Sequence, residues 1–98
     1  MCFGISVGDL SLIRDCLSKY KEIDEVLIFG SRATGNYKPG SDVDVALKGN
    51  IDSTLLAKIS YILNEELPLP YQFDVVGYSL ISHQSLTDHI DKFGKPLS

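Results

Sequence analysis

Ninety-eight residues are the length of one domain, and a chain of this size buries about 60–65% of its unfolded surface, enough for one modest core without disulfide staples. A composition of 44% hydrophobic and 22% charged residues is that of an ordinary folded globular protein and excludes a disordered chain. The net charge of −4 argues against a long nucleic-acid partner, which requires a basic face.

Residues 1–8 read as an irregular lead-in with Gly4 and Gly8 as breakers. The opening Met-Cys-Phe-Gly-Ile-Ser has no basic segment and no long apolar stretch, so it is not read as a signal peptide, and no apolar run approaches a membrane span. Asp9 is expected to cap a helix running to about Tyr20, because Leu10, Ile13, Leu17 and Tyr20 recur at three- and four-residue spacing. Glu25 to Phe29 reads as a strand, apolar enough to be buried on both faces.

Residues 31–41 form a connection in which Arg32-Ala33-Thr34 can make one helical turn, and Gly35-Asn36 and Pro39-Gly40 signal turns. Asp42 to Leu47 is a second strand of period two: Val43, Val45 and Leu47 face one way, Asp42, Asp44 and Ala46 the other. Asp52 or Ser53 caps a helix to about Leu67, with Leu55, Leu56, Ile59, Ile62 and Leu63 on its buried stripe; Pro68 and Pro70 stop it. Gln72 to Tyr78 is a third strand, interrupted by Asp74. Ser82 is expected to cap a last helix with Leu86, Ile90 and Phe93 inward and Gly94 as its stop, followed by a short tail. The order α-β-β-α-β-α predicts an α+β fold, a small mixed sheet covered by helices, as a single domain over residues 1–98.

Three acids stand where strands disfavour them. Asp42 and Asp44 lie on one face, about 6–7 Å apart along the strand, and Asp74 would join them if the third strand lies beside the second. Carboxylates gathered in this way need a cation between them, and a hard ion that completes its shell with phosphate oxygens, Mg2+, suits such a set. Gly30 lets a backbone approach a phosphate closely, and Ser31 offers a hydroxyl and an N–H to the same anion. Arg32 either adds a charge-assisted contact or is a surface residue. Together these predict a site for a metal and a nucleoside triphosphate.

The plainer readings are specific. Asp42 can cap the turn after Pro39-Gly40-Ser41. The Asp-x-Asp lacks the third ligand and the glycine of a calcium loop, and no Gly-Lys-Ser/Thr follows Gly30-Ser31 as a Walker A would require. His83 and His89 have no partner at metal-ligand spacing and read as structural. Tyr61, Tyr71 and Tyr78 read as packing or surface residues. Cys2 and Cys16 lack ligand spacing and read as reduced thiols of a cytoplasmic protein.

Gly30-Ser31, ten residues, then Asp42-Val43-Asp44, with Asp74 on a later strand, resembles the signature of the polymerase-β-type nucleotidyltransferase superfamily. The wider wording, Phe-Gly-Ser-Arg-Ala-Thr-Gly through Gly-Ser-Asp-Val-Asp-Val-Ala-Leu, is similar to its minimal nucleotidyltransferase (MNT) branch, small prokaryotic domains paired with HEPN-domain proteins. The similarity extends over nearly the whole chain, to Leu-Pro-Tyr-Gln-Phe-Asp and Leu-Thr-Asp-His-Ile-Asp-Lys-Phe-Gly.

The resemblance implies metal-dependent transfer of a nucleoside monophosphate from a triphosphate to a hydroxyl, releasing pyrophosphate. Asp42, Asp44 and Asp74 would be the catalytic residues and metal ligands, with Asp74 as general base. Gly30, Ser31 and Arg32 would bind the nucleotide. It implies ATP as donor, Mg2+ as cofactor in a two-metal arrangement, and a HEPN-domain toxin as protein acceptor, this chain being the antitoxin. No second domain is present to clamp the base or the acceptor, so the pocket would be completed by a partner or by a second copy of this chain. A binding antitoxin with a vestigial site, or a transferase acting on a small molecule, are the alternatives; neutralisation that survives Asp44→Ala would favour the first of these.

Overall fold

The computed structural model, which describes residues 3–97, runs through α1 (Val7–Leu17), β1 (Ile23–Phe29), a one-turn helix α2 (Ser31–Thr34), β2 (Val43–Gly49), α3 (Ser53–Tyr61), β3 (Phe73–Gly77), α4 (Gln84–Phe93) and β4 (Lys95–Pro96). One sheet is ordered β3-β2-β1-β4. β1 is antiparallel to β2 and β4, whereas β2 and β3 are parallel. The parallel pair needs a long crossover, which α3 supplies. The α+β architecture is the expected one.

Several element ends differ from the expected ones for local reasons. The cap of α1 is Ser6, whose hydroxyl accepts the Asp9 N–H at 3.2 Å, so Asp9 sits inside the first turn and Gly8 is helical. The helix stops at Leu17, and Lys19 and Tyr20 close a turn onto Cys16 and Leu17 carbonyls. Asp52, not Ser53, caps α3, accepting the Leu55 N–H at 2.8 Å. Beyond Tyr61 the helix widens into one π turn over Ile62–Glu66 before the prolines. His83 rather than Ser82 occupies the N-cap of α4, without a side-chain cap bond. Phe93 is exposed rather than inward. The expected tail forms β4, whose Pro96 pairs with Leu27 and Lys95 with Ile28. Cys2 lies outside the described residues; Cys16 is buried and free.

The sheet is buried on both faces. Ile28, Val43, Val45 and Leu47 pack with Leu10, Ile13 and Leu17 of α1, Ile59 of α3, and Leu63 and Phe73. Leu27, Phe29 and Ala46 point the other way and pack with Ile90 of α4. The alternation along β2 therefore carries Asp44 to the α4 side of the sheet, next to a thinner apolar cluster.

Candidate active site

The strand register levels two of the three acids. Phe29, at the end of β1, stands opposite Asp44 on β2, and Asp44 stands opposite Asp74 on β3. Gly30 follows at once, with φ 72° and ψ −151°, a conformation that suits glycine. A Cβ at this position would run into the Asp44 Oδ2. The Asp44 carboxylate thus lies against the Cα of the turn. The Gly30 carbonyl accepts the Ala33 and Thr34 N–H groups, and the Ser31 carbonyl accepts those of Gly35 and Asn36, so the turn closes on itself.

Asp42 precedes β2 and is exposed, as is Asp74, whereas Asp44 is half-buried. Burial pushes the Asp44 carboxyl up from the usual carboxylate range, Asp74 and Asp42 push it further, and His89 and Arg32 pull it back. As the side chains stand, no three metal-ligating groups converge to coordinating distance among the described residues. Asp44 and Asp74 are level, and Asp42 is one pleat away. Oxygen donors crowded by like charge fit a hard divalent cation, which would remove the repulsion that Asp44 experiences.

Arg32 is not a surface residue. It is 5% exposed, and its guanidinium donates to the Phe3 carbonyl at 2.8 Å and to the Ser41 carbonyl at 2.7 and 3.2 Å. The Tyr37 and Tyr71 rings flank it at 5.2 and 5.4 Å. Tyr71 in turn donates its hydroxyl to Asp9 at 2.9 Å. This fork ties the lead-in, the turn after Gly30 and the residue before Asp42 into one unit. Its donors face backbone carbonyls, and through them it fixes the 31–41 connection.

Two residues at the site were not picked out by sequence reasoning. His89, 59 positions from Gly30, accepts the Gly30 N–H on its Nε2 at 3.1 Å. Nothing in its spacing marks this, because the contact depends on how α4 packs; its place one residue before the buried Ile90 was the available signal. Asn64 sits in the π turn. Its Oδ1 accepts the Phe73 N–H at 2.7 Å and its Nδ2 donates to the Phe73 carbonyl at 3.0 Å, closing the outer edge of β3 just before Asp74. His83 is exposed and Tyr61 is 59% exposed.

The candidate site is an open shelf rather than a cavity. A cavity of about 610 Å³ lies at the far end of β1, against Tyr20, Ile23 and Leu97, and is lined by none of the three acids. A second, of about 330 Å³, borders Arg32, Tyr37 and Ser41. Among the described residues no helix is long and apolar enough to cross a membrane.

The fold is shared with solved toxin–antitoxin structures. One determined with AMP-PNP superposes with a TM-score of 0.76 at 22% identity, over 92% of this chain and 73% of that one. An MntA–HepT complex gives 0.67 at 20% identity, over 91% and 68%. An MNT antitoxin in complex with a tri-AMPylated HEPN toxin from Shewanella oneidensis gives 0.63 at 19% identity, over 91% and 71%. A search of curated protein sequences returns no significant match. The sequence profile described as "Polymerase beta, Nucleotidyltransferase" matches residues 12–98, and the chain belongs to that family.

Proposed function

We propose that this nucleotidyltransferase moves AMP from ATP onto a hydroxyl of a partner protein, and that it is the antitoxin of a HEPN-domain toxin. The observation that carries the reading is the alignment of the Gly30–Ser31 turn, Asp44 and Asp74 across three strand ends. Similar folds support its finer terms, since one relative was solved with AMP-PNP and another is an MNT antitoxin beside a tri-AMPylated HEPN toxin.

The residues divide the work as follows. Gly30, without a side chain, lets the Asp44 carboxylate lie against the turn, and Ser31 supplies an N–H and a hydroxyl to the triphosphate. Asp42, Asp44 and Asp74 would hold Mg2+. A metal held there would supply positive charge against the phosphates and would make the acceptor hydroxyl more acidic. Asp74, at the exposed edge strand, takes the hydroxyl proton. The acceptor oxygen bonds to the α-phosphorus as the bond to the bridging oxygen breaks, and pyrophosphate leaves. The exposure of Asp42 and Asp74 leaves the acceptor side open, and the partner protein, or a second copy of this chain, covers it.

ATP labelled at the α- or the γ-phosphate distinguishes this reaction from phosphoryl transfer. With Mg2+ and the co-produced HEPN partner, label passes to the partner from the α position alone and is abolished by Asp42→Ala or Asp44→Ala. Transfer from the γ position, or α-label transfer that survives Asp44→Ala, overturns the reading.

A further inference from the structure

The contact between His89 and Gly30 joins the last helix to the turn on which the triphosphate is proposed to rest. Three features make it more than incidental packing. The Gly30 N–H is a backbone donor at a position whose φ, 72°, allows the peptide more than one orientation, so a partner for that donor selects one of them. The acceptor ring is itself fixed, edge-on to Phe29 at 6.1 Å and tilted against Phe93 at 5.1 Å. The next residue, Ile90, is 1% exposed in the cluster with Leu27, Phe29 and Ala46, which locks α4 to the sheet at this level.

In this contact Nε2 is the acceptor, with its lone pair turned to the Gly30 N–H. With its own N–H engaged by His89, Gly30 offers no donor to an anion. The donors left at the strand end are those of Ser31, whose N–H lies in the following peptide. Ala33 and Thr34 hold the carbonyl of that peptide, and His89 holds the N–H of the one before. The two peptides meet at the Gly30 Cα, so the His89 contact fixes the torsions through which the Ser31 donors are aimed.

We propose that His89 is the positioning residue of the polyphosphate turn: by holding the Gly30 N–H, it sets the orientation of the Ser31 donors and thereby the affinity for the nucleoside triphosphate. The inference rests on the reading of Gly30–Ser31 as the triphosphate turn. It adds that nucleotide affinity depends on the seating of α4, an element that carries none of the three acids.

Three variants of the full chain test it, with ATP and Mg2+ as the probe. His89→Leu keeps an apolar side chain between Phe29 and Phe93 but has no acceptor. His89→Gln places an amide oxygen where Nε2 stood. His89→Ala removes both ring and acceptor. The expected result is a dissociation constant raised about tenfold in His89→Leu and His89→Ala, the loss of roughly one charge-assisted contact, and restored to within about threefold by His89→Gln. The Gly30 amide resonance should move, and its hydrogen exchange should accelerate, in His89→Leu but not in His89→Gln.

A purely structural role would instead lower the thermal midpoint while leaving affinity unchanged. If the wild-type protein binds ATP and His89→Leu binds it equally well, or if His89→Gln is as weak as His89→Leu with its fold intact, the inference fails alone. If the wild-type protein binds no nucleotide even with the co-produced HEPN partner present, the transferase reading fails and takes this inference with it.

Discussion

An alanine at position 30 would have to hold φ at 72° and set its methyl group against the Asp44 carboxylate. The backbone cost alone is about 1–3 kcal/mol at this φ and ψ, so Gly30→Ala is expected to lower the thermal midpoint by about 5–20 °C and to displace Asp44. A melting curve and nucleotide binding measured on the same sample check both effects. Arg32 makes a different prediction. Arg32→Lys cannot reproduce a fork that reaches Phe3 and Ser41 together, so it should be nearly as destabilising as Arg32→Met, at about 2–4 kcal/mol by urea unfolding. Equal stability of Arg32→Lys and wild type would mean that the fork contributes little.

Cys16 supplies the pH-linked case. Burial pushes its thiol up, with Lys19 opposing and Glu66 adding to the rise. A raised folded-state value favours the protonated thiol. Its share of stability is thus present below the ordinary thiol range and is lost as pH rises through the folded value. Peptide mapping after alkylation at mildly alkaline pH should find Cys16 unmodified in the folded protein and modified once urea unfolds it. At this scale Asp44 and Asp74 stood out in the sequence because an acid within a strand is out of place, and the Gly-Ser pair because it cuts off an apolar run; Asp42, just before β2, stood out only by its spacing to Asp44. The burial of Arg32 was not legible, since beside Tyr37 and the Ser41 carbonyl of its own connection it depends on the Phe3 carbonyl and the Tyr71 ring, brought in from distant segments.

Among the elements, the π turn at Ile62–Glu66 has a structural consequence. It swings Asn64 onto both backbone groups of Phe73, and that residue leads directly into Asp74. Asn64→Ala leaves a part-buried N–H and carbonyl without these partners, and a loss of about 1–3 kcal/mol is expected. Exchange at the Phe73 amide should accelerate by about tenfold or more while the β1–β2 amides stay protected. Uniform acceleration across the sheet would refute a local role. Periodicity gave the existence and order of the helices and of the three long strands, because each buries a stripe of apolar side chains. It missed β4, whose two residues are too few to show a pattern and which exists because the edge of β1 is there to pair with. It misplaced the cap of α1 because Ser6 and Asp9 both carry a suitable oxygen and the choice depends on where the chain enters the helix.

At the scale of the molecule, the arrangement is a sheet with α1 and α3 building the larger core on one face and α4 alone on the other. The radius of gyration, 12.5 Å, is close to the roughly 12.6 Å expected for a compact chain of this length. The heavier face holds the strands in register. The lighter face carries Asp44 and the level strand ends, with His89 connecting its one helix to the turn. The exposed side of this shelf is where an acceptor would arrive, and the central claim is that a partner protein supplies it. The most direct measurement is the intact mass of the HEPN partner isolated from cells that also make this protein. The account predicts a mass increase of one or more AMP units with the wild-type chain and none with Asp44→Asn, although the two proteins still co-purify. An unmodified partner that is nevertheless neutralised by the wild-type chain would contradict it.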